Sequence, residues 1–308
     1  MTRLTFRDSP WAKAAHERRK AKSILDRILG VSFQINAIYC GDCADTMDRI
    51  PEESVDLIYA DPPFFSNQRH EMLADDDHEV RAFDDRWEGG IQDYIAWMEP
   101  RLRRCSKILR SSGSMYLHCD WHAGHYLKVL MDQIFGASNF QREIIWKIGW
   151  VSGFKSRAKN YIRNHETLLF YTKSKEFTFN KVYVPHPKGY ERRGGGKNPR
   201  GVPLDDVWLD VHSIQHLSFS KEKLGYPTQK PEALLSRLIQ VSSNKGDLVL
   251  DPFCGSGTTV AAAHKLGRRW VGIDVSPAAC KLATRRMGLL GVRGLDAVRL
   301  PIDGRFLV

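Results

Sequence analysis

What this sequence lacks narrows it first. No apolar run approaches the length that a bilayer-spanning helix needs, and the opening MTRLTFRDSPWAK has no apolar core of the signal-peptide kind. A cytoplasmic protein with no membrane partner is expected. Cysteine is sparse: the six residues Cys40, Cys43, Cys105, Cys119, Cys254 and Cys280 are scattered through 308 positions, which speaks for reduced thiols rather than a disulfide framework. Cys40 and Cys43 form a lone C-x-x-C with no second pair at zinc-ribbon spacing, so no metal is expected. Acidic residues are in deficit. The 46 Lys and Arg against 36 Asp and Glu leave a formal charge of +10 and a pI near 9.3, a balance that favours a polyanionic partner. A hydrophobic fraction of 42% excludes a disordered or fibrous chain, and the length suits one large α/β domain or a domain with a sizeable insertion.

The positive charge that is present is unevenly placed. Lys147, Lys155, Arg157, Lys159, Arg163, Lys173, Lys175, Lys181, Lys188, Arg192, Arg193, Lys197 and Arg200 crowd the middle third, with Trp146, Trp150, Phe154, Tyr161, Tyr183 and Tyr190 among them. Basic residues interleaved with aromatics suit phosphate contact plus base stacking. For any single residue a solvated basic face explains the charge equally well.

The hydrophobic pattern alternates between strand and helix periods. Residues 11–29 read as a basic amphipathic helix closed by Gly30. A strand near Ile35–Tyr39, a short helix and the strand Val55–Ala60 follow, and then a polar stretch, 66–90, that reads as a long loop. A helix from about Ile91 to Leu109, the strand GSMYLHCD, the helix HAGHYLKVLMDQIF, the strand REIIWKI and the apolar segment ETLLFYTKS continue the alternation. Residues 175–225, rich in Gly, Pro, Arg and Lys, break it as an irregular insertion that also holds the strand-like DDVWLDVHSI. The alternation resumes with KPEALLSRLIQVSS, DLVLD, GSGTTVAAAHKLG, RRWVGID and SPAACKLATRRMGLL. Such alternation predicts an α/β, doubly wound and mostly parallel sheet.

Two strand ends carry chemistry. SVDLIYADPPFF ends a strand on Asp61 and then stiffens the chain with Pro62 and Pro63, which offer no N–H and hold φ fixed. Ligands of open α/β sheets sit outside the carboxyl ends of strands, where Asp61 and Phe64 would stand. An ordinary capped strand end with a rigid turn accounts for the same residues. The second end, LVLDPFCGSGTT, leads through Gly255 and Gly257 into a helix, a turn that lets a ligand approach the backbone. Val260 stands where a dinucleotide fingerprint needs glycine, and no Gly-Lys-Ser/Thr ending is present, so neither NAD nor ATP is supported. Asp251 before the turn suits a ligand with a positive centre. Asp274, ending RRWVGID, is placed to grip ribose hydroxyls, with an N-cap as its alternative role. A ribose and a positive centre without pyrophosphate describe S-adenosylmethionine.

DLIYADPPF, YPTQKPEALLSRLI and LVLDPFCGSGTT...GRRWVGID together resemble the catalytic, lysine-bearing and cofactor motifs of the beta-class DNA amino-methyltransferases, over about Tyr39–Leu290. The resemblance implies a Rossmann-like methyltransferase fold in permuted motif order. It makes 31–174 the catalytic half, 175–225 a target-recognition insertion and 226–308 the cofactor half, and it leaves out 1–30, an N-terminal basic helix that reads equally as an appendage, a dimer contact or a DNA contact. It further implies methyl transfer from S-adenosylmethionine to the N6 amino group of a flipped-out adenine in double-stranded DNA, with cytosine N4 as the alternative. Asp61 and the Pro62 carbonyl would accept the amino hydrogens, Pro63 would hold the turn rigid, and Phe64 would stack on the base.

The same resemblance assigns Asp42 and Cys43 to the cofactor adenosine, and Thr228 and Lys230 to the methionine carboxylate. It gives Pro252, Phe253, Gly255, Ser256, Gly257, Thr258 and Thr259 to the cofactor loop. His118 and Asp120 read rather as a satisfied strand-end pair. Lys155, Arg157, Lys159 and Arg163 are expected on phosphates, with Arg192, Arg193 and Arg200 reading bases. No Pro-Cys dipeptide is present for carbon methylation. A homodimer, a separately acting restriction endonuclease and association with the nucleoid go with such enzymes. The rival readings are an RNA or protein amino-methyltransferase and a catalytically silent DNA-binding subunit.

Overall fold

The computed structural model describes residues 33–299 except 68, 74–78, 152–156, 158, 187–188, 190–195, 197, 217–219 and 221, and the side chains of 69–73 and 79–84 also lie outside it. The chain divides into the segment Met1–Gln34 and the unit Ile35–Val308, and the fold below is that of the second. The expected basic helix at 11–29 lies outside the described residues.

The strands are β1 (Ala37–Cys40), β2 (Val55–Ala60), β3 (Arg69–Leu73), β4 (Glu79–Asp84), β5 (Leu109–Cys119), β6 (Phe140–Lys147), β7 (His165–Thr172), β8 (Tyr183–Val184), β9 (Val202–Pro203), β10 (Val207–Trp208), β11 (Leu248–Asp251), β12 (Arg269–Asp274) and β13 (Val298–Arg299). The helices are α1 (Cys43–Met47), α2 (Gly90–Ile108), α3 (Gly124–Phe135), α4 (Glu232–Ser242), α5 (Thr258–Lys265) and α6 (Pro277–Leu289). Among the described residues nine strands form one sheet in the order β10-β6-β7-β5-β2-β11-β12-β1-β13. β7 runs antiparallel to β5 and β6, and every other neighbouring pair is parallel. The doubly wound, mostly parallel sheet expected from the alternation is therefore present.

Burial explains the central strands. β1, β2 and β11 are buried at every position, as continuous apolar runs covered by helices on both faces require. Their side chains join Trp146, Trp270 and the helix residues Leu234, Leu235, Leu238 and Val260 in one core. Tyr116 on β5 stacks on Phe170 of β7 at 4.5 Å between ring centroids.

Two expectations need correction. The stretch 66–90 is not one loop: β3 and β4 pair as an antiparallel hairpin. The strands RHEML and EVRAFD are short and charged, so no apolar run marks them in the sequence. The segment DDVWLDVHSI forms only the two-residue β10, which extends the main sheet beside β6 and so ties the end of the insertion to it.

Candidate active site

Parallel strands bring their carboxyl ends to one edge of the sheet. The register makes this concrete: Cys40 of β1 lies opposite Asp274 of β12, Asp251 of β11 opposite Gly272, and Ala60 of β2 opposite Leu117 of β5. Asp42, Asp274, Asp251, Asp61 and His118 are thereby gathered at that edge. β7 enters from the opposite direction, so Glu166 near its start, opposite Trp146 of β6, reaches the same edge. A cavity of about 540 Å³ opens there, lined by residues of both expected motifs, Asp61 to Phe64 and Asp251 to Ser256 with Thr258, Thr259 and Asp274, while Gly257 lies outside its lining.

The Asp-Pro-Pro turn is held from below. Asp85 accepts the backbone N–H groups of Phe65 and Ser66 at 3.0 and 2.6 Å and the Trp87 indole N–H at 3.0 Å, while the Tyr94 hydroxyl donates to the Pro63 carbonyl at 2.7 Å. Phe65, in the left-handed region at φ +62°, packs its ring 5.7 Å from Tyr94. Residues from the hairpin's far side thus fix where Asp61 and Phe64 stand.

Around Asp61 lies a charge cluster. Lys230 Nζ is 3.1 Å from Asp61 Oδ2 and 3.6 Å from Glu166 Oε2, and 4.9 Å from the centre of the Phe64 ring. His118, fully buried, has Nδ1 2.7 Å from the Tyr59 hydroxyl and 3.8 Å from Asp61 Oδ1. Its Nε2 sits 3.0 Å from Glu166 Oε2, a close contact that misses the alignment of a directed hydrogen bond. Burial opposes the Glu166 charge, but Lys230 and then His118 outweigh it and hold the carboxyl down at about 2. Burial likewise opposes the Lys230 charge, and Asp61 and Glu166 overcome it, so the ammonium is held above its ordinary range.

The glycine turn is built as tightly. Gly255 (φ +48°) and Gly257 (φ +75°) take conformations that side chains resist. A Cβ on Gly255 would stand 3.0 Å from the Tyr226 ring, and one on Gly257 2.9 Å from Ala283 Cβ of α6. Asp274 accepts from Gly255 N at 2.8 Å and from Ser276 N at 2.9 Å, and burial raises its pKa to about 6. Asp251 accepts from the Thr259 hydroxyl at 2.5 Å and from Phe253 N at 3.0 Å, with its pKa pushed up to about 7 by burial. It shapes the turn from beneath. The Thr258 hydroxyl accepts from Arg286 Nη1 at 2.9 Å, so both threonines at the start of α5 have internal partners.

Asp42 caps α1, accepting from Ala44 N at 2.7 Å, while its other oxygen takes Arg101 Nη2 at 2.5 Å. Arg101 lies 3.8 Å over the Trp97 ring, which neighbours Phe253 at 6.0 Å. Asp42, Cys43, Trp97, Arg101, Pro252, Phe253, Ser256 and Thr228 all line the cavity.

Among the basic residues, Arg163 reaches inward to the buried Asp120, which also takes His122 Nδ1 at 2.8 Å. Arg157 and Lys159 are exposed, and Arg200 lies 6.0 Å over the Tyr183 ring. Lys155, Arg192 and Arg193 lie outside the described residues.

Sequence reasoning passed over Glu166, Trp97 and Arg101, and it read His118 as a strand-end residue without a part in the site. Glu166 carries no motif legible in one chain, since only the antiparallel course of β7 brings it to this edge. The span from β2 to α6 that carries this geometry is also where the chain resembles known proteins. It is 30% identical over 262 residues to the type II methyltransferase M.BamHI of Bacillus amyloliquefaciens, covering 82% of this chain and 57% of that one. It is 32% identical over 265 residues to the DNA adenine methyltransferase YhdJ of Escherichia coli (strain K12), covering 82% and 83%. The chain therefore spans little more than half the length of the first of these relatives. A solved structure of the PvuII DNA methyltransferase (cytosine-N4-specific) superposes with a TM-score of 0.57 at 18% identity, over 86% of this chain and 89% of that one, which shows a shared fold. A family model described as DNA methylase matches residues 55–285, most of the chain and the whole of the cavity's two motifs, and the chain belongs to that DNA methylase family.

Proposed function

We propose that this chain transfers a methyl group from S-adenosylmethionine to the exocyclic N6 amino group of an adenine flipped out of double-stranded DNA. The observation that carries the reading is the meeting, in one cavity, of the rigid Asp61-Pro62-Pro63-Phe64 turn with the glycine turn and Asp274. An acid and an aromatic ring beside a cleft built for a nucleoside match a base-amino acceptor and a stacking face.

The residues present fit the cofactor. Asp274 spends one lone pair of each oxygen on backbone N–H groups and keeps the others for ribose hydroxyls. The Gly255 backbone approaches closely because no side chain stands on it. Asp42, Trp97 and Phe253 border a space for the adenine, and Thr228 with Lys230 faces the methionine end. S-adenosylmethionine supplies an electrophilic methyl group on a sulfonium.

Asp61 does the rest by position. Lys230 approaches it through Oδ2, and His118 Nδ1 stands 3.8 Å from Oδ1, beyond hydrogen-bond reach. Oδ1 and the Pro62 carbonyl accept the amino hydrogens and draw the nitrogen lone pair out of conjugation with the ring. On methylation the nitrogen would shed one of these protons toward Asp61 Oδ1 and the Pro62 carbonyl. No covalent enzyme intermediate is required. Phe64 holds the base plane by stacking, since an amino group inside the duplex is out of reach.

Adenine is preferred to cytosine because the turn carries Asp where the cytosine enzymes of this class more often carry Ser. The insertion 175–225 is the region proposed to read the DNA sequence, with Arg157 and Lys159 on phosphates. Incubating the purified chain with methyl-labelled S-adenosylmethionine and unmethylated genomic DNA, then separating the nucleosides, tests the reading. Label in N6-methyladenine is expected. Label in N4-methylcytosine replaces the base assignment, and absence of label from DNA overturns the reaction.

A further inference from the structure

Lys230 is shared. Its side chain is 11% exposed, and its ammonium lies 3.1 Å from the acid that must accept the base and 3.6 Å from a second carboxylate that no motif explains. A lysine paired with Asp61 alone would spend that acid's acceptor strength on a buried ion pair, and the resting site would be a locked one. Glu166 is built to prevent this. It enters on the antiparallel β7, its side chain is 17% exposed, and it stays ionised because Lys230 and His118 face it, with Arg163 adding positive charge from the mouth of the cavity. The groups facing Lys230 are Asp61 after β2, Glu166 on β7 and the Phe64 ring. His118 on β5 stands behind both acids, and the Tyr59 hydroxyl stands on His118.

We propose that Glu166 is a positioning residue for methyl transfer: it competes with Asp61 for the Lys230 ammonium, leaving Asp61 free to accept the target amino group and Lys230 free to meet an incoming carboxylate. The inference rests on the proposed function and deepens it. Three donors on one ammonium can serve both acids and a third acceptor, so the cofactor carboxylate joins the cluster without stripping either acid.

Glu166→Gln and Glu166→Asp separate this from a structural role. Glu166→Gln should slow label transfer at saturating cofactor by on the order of ten-fold, because Lys230 then collapses onto Asp61. In calorimetry without DNA, cofactor affinity in that variant should be unchanged or tighter, since a negative charge has left the neighbourhood of the carboxylate. With one of its two counter-charges gone, Lys230 should lose its proton more readily, so cofactor affinity in that variant should begin to fall at a lower alkaline pH than in the parent. Glu166→Asp should recover most of the rate and the parental profile. A Glu166→Gln rate equal to the parent's overturns the inference. So does a loss of rate matched by weaker cofactor binding and a lower melting temperature that Asp does not recover. If the parent itself moves no label to DNA, the proposed reaction fails. Glu166 is then judged by calorimetry, where weakened cofactor binding in Glu166→Gln counts against it and unchanged or tighter binding supports it.

Discussion

Asp274 Oδ2 accepts the Gly255 N–H at 2.8 Å, so the acid that ends β12 also sets the shape of the glycine turn that follows β11. The two elements of the proposed cofactor cradle are therefore one mechanical unit. Asp274→Ala removes both the ribose acceptor and the brace of the turn, and cofactor affinity measured by calorimetry should weaken on the order of ten-fold or more. Affinity within two-fold of the parent would leave Asp274 as a brace for the backbone at Gly255 and Ser276 alone, with Ser276 capping α6.

The same acid predicts a pH dependence. Burial raises the Asp274 pKa to about 6 and that of Asp251 to about 7, so the cofactor-free fold prefers both protonated. Their contribution to stability is present below the ordinary carboxyl range and is lost as pH rises through about 6 to 7. Cofactor binding runs the other way, because hydroxyl donors favour the ionised acid. Affinity should rise between about pH 5 and pH 7 and then level off, and Asp274→Asn should flatten the lower part of that rise. A pH-independent affinity in the parent would contradict the assignment.

Asp61→Asn keeps the shape of the acceptor and removes its charge. Methyl transfer should fall by on the order of 100-fold or more, while cofactor affinity changes little. Labelled transfer within a few-fold of the parent would place the chemistry elsewhere in the cavity.

Gly257 is a question of space. Its φ is +75°, and a Cβ added there would come within 2.9 Å of Ala283 Cβ, so Gly257→Ala both strains the backbone and pushes α6 outward. A loss of about 1–3 kcal/mol in denaturant unfolding is expected. A neutral result would show that the α5–α6 contact yields easily.

Salt dependence checks how the basic residues are used. Arg157→Ala and Lys159→Ala should each reduce the slope of log affinity against log salt by roughly 0.9 on duplex DNA, nearly uniformly across sequences. Arg163, already committed to Asp120, should change the slope less and the transfer rate more. An unchanged slope after both exposed residues are replaced would put DNA on another face.

The alternation of elements, the strand ends bearing Asp61, Asp251 and Asp274, and the glycine turn between β11 and α5 are all legible along the chain. Each of these is local: prolines stop a ladder, glycines open a turn, and an apolar run bounded by both is a buried strand. The hairpin of β3 and β4 escaped the pattern because its strands are short and charged. What only the tertiary structure decided was which distant residues meet. β7 runs against its neighbours, and that reversal carries Glu166 to the edge where Lys230 and Asp61 wait. Tertiary packing likewise sets Asp42 on Arg101, Arg163 on Asp120 and His118 in the core of the site. Such pairings depend on strand order and direction, quantities set by long-range packing, and no spacing along a single chain encodes them.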